Sequence, residues 1–137
     1  MAEFRASHRY APISARKARL VADMIRGLPV NQALAVLDRA PQRGAAFLRK
    51  VVRSAVANAE QMAEIDPNHL HVEKTWVDEG PVRGGVTRWR PGARGRAMPY
   101  RRPTAHLHVT LATDTPVAAA APAAATATEG ATESEES

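Results

Sequence analysis

Seven arginines and no acid fall within GPVRGGVTRWRPGARGRAMPYRRP, residues 80–103, alongside five glycines and four prolines. The arginines are Arg83, Arg88, Arg90, Arg94, Arg96, Arg101 and Arg102. A guanidinium fork meets phosphate oxygens two at a time and stacks on flat rings, which an ammonium group does not. Trp89 and Tyr100 add rings on which bases can stack. Gly84, Gly85, Gly92 and Gly95 let backbone approach a partner closely. The chemistry on offer is neutralisation of a polyanion. A merely solvated loop is the plainer alternative, but 16 of the 19 basic residues are Arg, where Lys would serve solubility alone.

The other reactive residue types converge less well. His69-x-His71 and His106-x-His108 would each place two imidazoles on one face of a strand, and pairing of those strands would gather four, a conceivable zinc or copper site. Glu73 is the only acid near that spacing, so wet-face polar residues or RNA contacts are the better reading. Asp78 and Glu79 are adjacent on an extended segment and point to opposite faces, which rules out a converging acid/base pair. They are expected to shape the base of the loop and pair with nearby Arg. Ser14, Ser54 and the threonines lack a base and an orienting group. Without cysteine there is no disulfide, thiol nucleophile or thiolate metal site. No enzyme, metal or cofactor is expected.

Charge is divided along the chain. All 19 basic residues but only nine of the 14 acids precede position 114, so residues 1–113 carry +10 and the remainder −5. A small domain with that charge repels itself and attracts a polyanion. Of the 137 residues 28 are Ala, and only 25 are Leu, Ile, Val or Phe, at the low edge for a self-sufficient core. No apolar run approaches the roughly 20 residues of a membrane span. MAEFRASHRY lacks the apolar segment of a secretory signal. A cytoplasmic protein is the expectation, with no membrane partner.

The elements that must position the arginines follow from periodicity. Residues 3–12 read as a short strand or an extended arm. Ser14 is a good N-cap for a helix over 15–26 with Ala18, Val21, Met24 and Ile25 on one face, closed by Gly27. Arg16, Lys17 and Arg19 lie on or beside its wet face. A second helix over 30–39 buries Val30, Ala33, Leu34 and Leu37. A third over 42–64 repeats Leu48, Val52, Ala55, Val56, Ala59 and Met62 at helical spacing, with Arg43, Arg49, Lys50 and Arg53 opposite. Met24 and Met62 are assigned to the core. The period then changes to two in 70–80 and 105–111, which reads as an antiparallel strand pair beneath the helices.

The fold class is therefore α+β: three helices on a small antiparallel sheet, with a long extended hairpin at about 78–103. Residues 1–112 form one RNA-binding domain. Residues 113–137, rich in Ala and Thr and acidic, read as a disordered tail. Basic residues spread over helix 1 (Arg16, Lys17, Arg19), helix 3 (Arg49, Arg53) and the hairpin suit a folded RNA that surrounds the protein. Sequence-specific DNA readers concentrate contacts on one element. Neutralising ten phosphates would give a slope of log affinity on log salt of roughly −7 to −9.

SARKARLVADMIRG (14–27), RSAVANAE (53–60), VDEGP (77–81) and RPGARGRA (90–97), followed by TAHLHVTL, stand in an order and spacing that resemble one family. It is the large-subunit ribosomal protein twenty-two family, bacterial type, and the resemblance covers about residues 5–111. It implies a ribosome-bound structural protein that binds large-subunit rRNA, supports subunit assembly, and lines the polypeptide exit tunnel with its hairpin tip. The implied partners are that rRNA, neighbouring large-subunit proteins including protein four near the tunnel constriction, and the passing nascent chain. By position, 77–81 and 90–97 would form the hairpin arms, and Arg94 and Arg96 would contact rRNA. The tip would comprise Val82, Arg83, Gly84, Gly85, Val86, Thr87, Arg88 and Trp89. That tip is longer than the family's usual one, and Gly92 stands where the family commonly has Arg. The alternative function is a free nucleic-acid-binding regulator acting off the ribosome.

Overall fold

A computed structural model describes residues 2–63 and 65–113. Three helices lie against a three-stranded antiparallel sheet: β1 (Glu3–Ala11), α1 (Ala15–Ile25), α2 (Val30–Arg39), α3 (Arg43–Ala63), β2 (Leu70–Glu79), then a ribbon, then β5 (Ala105–Thr113). The ribbon carries its own two-stranded sheet, β3 (Arg88–Pro91) with β4 (Ala97–Tyr100). In the larger sheet the order is β1-β5-β2, so β5 is central. The expected strand pair is thus a trio, because 3–11 is a strand rather than an arm. Its polar run, EFRASHRYA, gives no clean alternation, and its place is fixed by the ladder from Glu3 opposite Ala112 to Ala11 opposite Ala105.

The core is small-residue and aliphatic. Alternate residues of β5 and β2 (Leu107, Val109, Leu111; Leu70, Val72) turn inward, where Ile25, Leu48 and Val52 from the helices meet them, all essentially excluded from solvent. Alanines at 18, 22, 45, 55 and 59 line the same cluster and let the helices sit close. Each of the three predicted helices is present to within about two residues. Ser14 occupies the N-cap of α1 but makes no side-chain cap; its carbonyl instead accepts from the N–H groups of Lys17 (3.1 Å) and Ala18 (3.2 Å). Gly27 takes the expected left-handed conformation, φ 77°, and its N–H reaches the Val72 carbonyl at 2.8 Å.

Two core assignments are overturned. Met24 is 45% exposed and Met62 80% exposed. The buried stripe of α1 runs through Ala15, Ala18, Val21, Ala22 and Ile25, so the inward face is centred on small residues and Met24 falls beside it. Met62 lies past the last buried position of α3, Ala59. Leu34 and Val56 are half-buried at the rim.

β5 continues past Leu111 to Thr113, and Ala112 is buried between Glu3 and His71. Ala112 interrupts the alternation in sequence, but both neighbouring strands still offer backbone partners there. The tail read over 113–137 lies, from residue 114, outside the described residues, as does Glu64 at the end of the third predicted helix.

Candidate nucleic-acid interface

The ribbon leaves the domain between β2 and β5, whose last shared pair is Glu79 opposite Ala105. Its two arms are held by the N–H of Gly80 on the Thr104 carbonyl (2.9 Å), the Thr104 hydroxyl on the Pro81 carbonyl (2.5 Å), and the N–H of Arg83 on the Arg102 carbonyl (2.8 Å). Farther out, Arg88, Trp89, Arg90 and Pro91 stand opposite Tyr100, Pro99, Met98 and Ala97. Prolines are tolerated here because each strand of a two-stranded ribbon is an edge.

The chain reverses at Gly92–Arg96. Gly92 donates to the Arg96 carbonyl at 2.6 Å, and a Cβ on Gly92 would come within 3.0 Å of that oxygen. Arg94 (φ 58°) and Gly95 (φ 69°) supply the left-handed turn. The hairpin apex is therefore 92–96, and the sequence-based assignment of 82–89 to the tip is corrected. Residues 82–85 form a local turn within the outgoing arm, closed by the N–H of Gly85 on the Val82 carbonyl (2.8 Å), while Arg88 and Trp89 belong to β3. The arms expected at 77–81 and 90–97 do not pair with each other: 77–79 belong to the β2–β5 ladder, and 90–97 spans the apex. The Gly84-Gly85 pair mimics a hairpin turn in sequence. The signal that locates the true apex is the ladder at the ribbon's base, since Glu79 opposite Ala105 puts the midpoint at residue 92.

No residue from 81 to 103 is buried, so the ribbon has no core. Side-chain order comes from Tyr100, whose ring lies under the Arg90 guanidinium at 4.3 Å and near that of Arg102 at 5.9 Å. Desolvation opposes ionisation of the Tyr100 phenol, but hydrogen bonds from Arg88, Arg102 and Arg90 outweigh it and hold the phenol below its ordinary value. A guanidinium carries five N–H donors, so one engaged with the Tyr100 oxygen still has others for phosphate.

Where the ribbon meets the domain, a cleft of about 610 Å³ opens between β3–β4 and the starts of α1 and α3. Lys17, Arg43, Arg90, Arg101 and Arg102 line it with Tyr100, and no acid does. Of the predicted cations, Lys17, Arg90, Arg101 and Arg102 are thus brought together. Arg83, Arg88, Arg94 and Arg96 stand exposed along the ribbon, and Arg16 is exposed on α1. Three are engaged within the protein or beside such a pair. Arg19 donates to the Val77 carbonyl at 3.2 Å and approaches Glu79 at 3.9 Å, pinning α1 to β2. Arg49 bridges α3 to α2 through Asp38 at 2.6 Å, and Arg53 adds its field to the same carboxylate. Arg43 was legible only as one of several wet-face cations of the third helix; nothing in its spacing marks it as the one that faces the ribbon.

The four histidines do not assemble. His69 sits in a short 3₁₀ turn, His71 opposes Ala112, and His106 and His108 oppose Asp78 and Trp76 at the other end of the ladder. His108 stacks on Trp76 with centroids 5.1 Å apart, and His106 accepts from the Tyr10 N–H at 3.0 Å. Among the described residues no helix is long and apolar enough to cross a membrane.

Residues 6–112 match the family described as ribosomal protein L22p/L17e. The chain belongs to that family. Over 109 residues, 80% of this chain, it is 45% identical to the large ribosomal subunit protein uL22 of Bdellovibrio bacteriovorus, covering 96% of that protein. The protein of the same name from Syntrophotalea carbinolica is 46% identical, with 80% and 96% covered. That of Thermomicrobium roseum is 47% identical, with 80% and 90% covered. Members of the L22p/L17e family are structural ribosomal proteins, not enzymes. The match begins in β1 and ends in β5, so it contains the whole ribbon and excludes the acidic segment.

Proposed function

We propose that this chain is a structural constituent of the large ribosomal subunit, bound to ribosomes in the cytoplasm, and that it holds large-subunit rRNA through the ribbon and the cleft at its base. The observation that carries this reading is a ribbon paired in backbone yet without a single buried residue, with Arg as its dominant long side chain. An isolated two-stranded ribbon is marginal in water, and a polyanion on both faces would supply the missing contacts. Exposed Arg along β3 and the apex would position the ribbon on phosphates without reading sequence. Lys17, Arg43, Arg101 and Arg102 would grip the RNA where the ribbon departs.

Family resemblance extends the proposal to subunit assembly and to the polypeptide exit tunnel, beside protein four. The apex at 92–96, rather than 82–89, is then the part that would line the tunnel and meet the nascent chain. Gly92 makes the apex narrow: it closes the turn tightly and offers no cation of its own.

Sedimentation of a lysate through a high-salt sucrose gradient tests the reading. We expect this chain to travel with the large subunit at about one copy each. Recovery at the top of the gradient with intact ribosomes below would overturn it and favour a free nucleic-acid-binding regulator.

A further inference from the structure

In sequence Trp89 and Tyr100 are equivalent rings for stacking; the fold puts them on opposite faces of the ribbon. In the β3–β4 ladder Arg88 stands opposite Tyr100, and Trp89 opposite Pro99. Side chains alternate between faces along a strand, so Arg88, Arg90, Met98 and Tyr100 share one face while Trp89, Pro91, Ala97 and Pro99 share the other. The first face turns toward the domain: Arg90, Tyr100 and Arg102 line the cleft at the ribbon base, and Trp89 and Pro99 do not. The second face carries no charge.

The two rings are therefore in different states. Tyr100 already holds the Arg90 guanidinium 4.3 Å from its ring centre and that of Arg102 at 5.9 Å, and its oxygen accepts from Arg88, Arg102 and Arg90. A base could reach that ring only by displacing those groups. Trp89 is 63% exposed, and among the described residues no aromatic ring or cation lies on it. We propose that Trp89 is a stacking site for an unpaired RNA base, set back to back with the phosphate-binding face that Tyr100 organises.

Chemistry and charge favour a base over a peptide as the occupant. Stacking on an indole suits every base, because each has a π-face, and asks no hydrogen bond of the platform. An incoming peptide strand would need backbone donors, and Pro91 and Pro99 have none to give. Pro99, directly opposite Trp89, stiffens the platform without adding a charge. Trp89 is flanked in sequence by Arg88 and Arg90, and residues 80–103 contain no acid to repel a nucleotide. A folded RNA that encloses the ribbon would meet the arginines on one side and Trp89 on the other. The site rests on the RNA binding proposed above and adds to it a contact that does not depend on charge.

The experiment separates bases from phosphates. Two probes are compared at about 50 mM salt, where screening is weak: a twelve-nucleotide oligouridylate and an abasic ribose-phosphate chain of the same charge. In the full-length protein Trp89→Ala should weaken oligouridylate binding about fivefold to a hundredfold and leave the abasic chain unaffected. The slope of log affinity on log salt should stay the same, because no phosphate contact is lost. Trp89→Phe should recover most of the loss. With Trp76 changed to Phe, Trp89 is the one tryptophan left, and saturating oligouridylate should quench its emission where the abasic chain does not. Equal weakening of both probes, or a changed salt slope, would make Trp89 a structural part of the ribbon and overturn the proposal. Oligouridylate binding that ignores Trp89 in both affinity and emission would also overturn it and leave this face to a protein neighbour. Neither result would disturb co-sedimentation with the large subunit, so the ribosomal reading would stand. Failure of both probes to bind the parent protein would remove RNA binding by the ribbon, and this site with it.

Discussion

Between Glu3 and Glu79 the chain buries Ile25, Leu48 and Leu70 completely, whereas between Arg83 and Arg102 it buries nothing. The first region is held by exclusion of water from aliphatic side chains, and its charges decorate the outside. The second is held by a short backbone ladder, a tight reversal at Gly92–Arg96 and guanidinium groups stacked over Tyr100. The first region, closed by the central strand β5, has a core of its own; the second has none, and on the proposed function it is half of an interface. Stability and binding should therefore respond to mutation in different places, and the difference is measurable.

The largest effect belongs to the domain. Leu48→Ala removes a fully buried side chain and should cost about 2–5 kcal/mol in urea unfolding, because the close-packed helices cannot collapse into the space. Trp89→Ala, on the exposed ribbon, should change the same midpoint by less than about 0.5 kcal/mol. Comparable losses from both would show that the ribbon shares the domain's core.

The ribbon should report in binding. Replacing Arg94 and Arg96 together by Ala should reduce the steepness of log affinity for rRNA against log salt by about 1.4–1.8, since each phosphate contact contributes roughly 0.7–0.9. Subunit assembly should suffer while thermal unfolding of the isolated protein stays put. An unchanged salt slope would remove these two residues from the interface.

The smallest effect is a pH dependence confined to the domain. The hydrogen bond from Arg49 holds the Asp38 carboxyl below its ordinary value, helped by the charges of Arg49 and Arg53 against a smaller desolvation cost. A depressed carboxyl stabilises the fold fully above its unfolded value and loses that contribution as pH falls through the folded one. Asp38→Asn should therefore flatten the acid limb of a stability-versus-pH curve slightly. Identical acid limbs would mean the exposed pair contributes nothing.

The helices and the inner strands were legible because their apolar residues keep a period, 3.6 in 15–25, 30–39 and 43–63 and two in 105–111. What sequence blurred is where a face ends. Met24 lies ~60° round α1 from Val21, at the edge of the buried stripe, and only the close packing over Ala18 and Ala22 decides that it stays wet. β1 was ambiguous because its inward residues are few, with Phe4 and Ala11 buried and Ala6 half-buried. Its strand character comes from a partner some hundred residues away, which no local pattern encodes. The arginines were legible as a set, but their grouping was not: Arg43 joins the cleft and Arg49 leaves it through contacts between elements. The apex was misplaced because two glycine-containing turns compete in 82–96, and choosing between them requires the register of the flanking ladder.

The central position of β5 bears on how the protein comes to be folded. The two outer strands of the sheet, β1 and β2, both complete their ladders on Ala105–Thr113, the last element of the described chain. During synthesis the helices can form early, but β1 waits for a partner made 90 to 110 residues later, as the pairing of Glu3 with Ala112 shows. Such distant contacts make folding slow, and two unpaired strand edges stay open in the meantime, inviting association with other chains. Arrival of one strand zips both ladders together, so commitment to the native state comes late and all at once. A released chain truncated before residue 105 should be sticky, because neither outer strand then has its ladder partner.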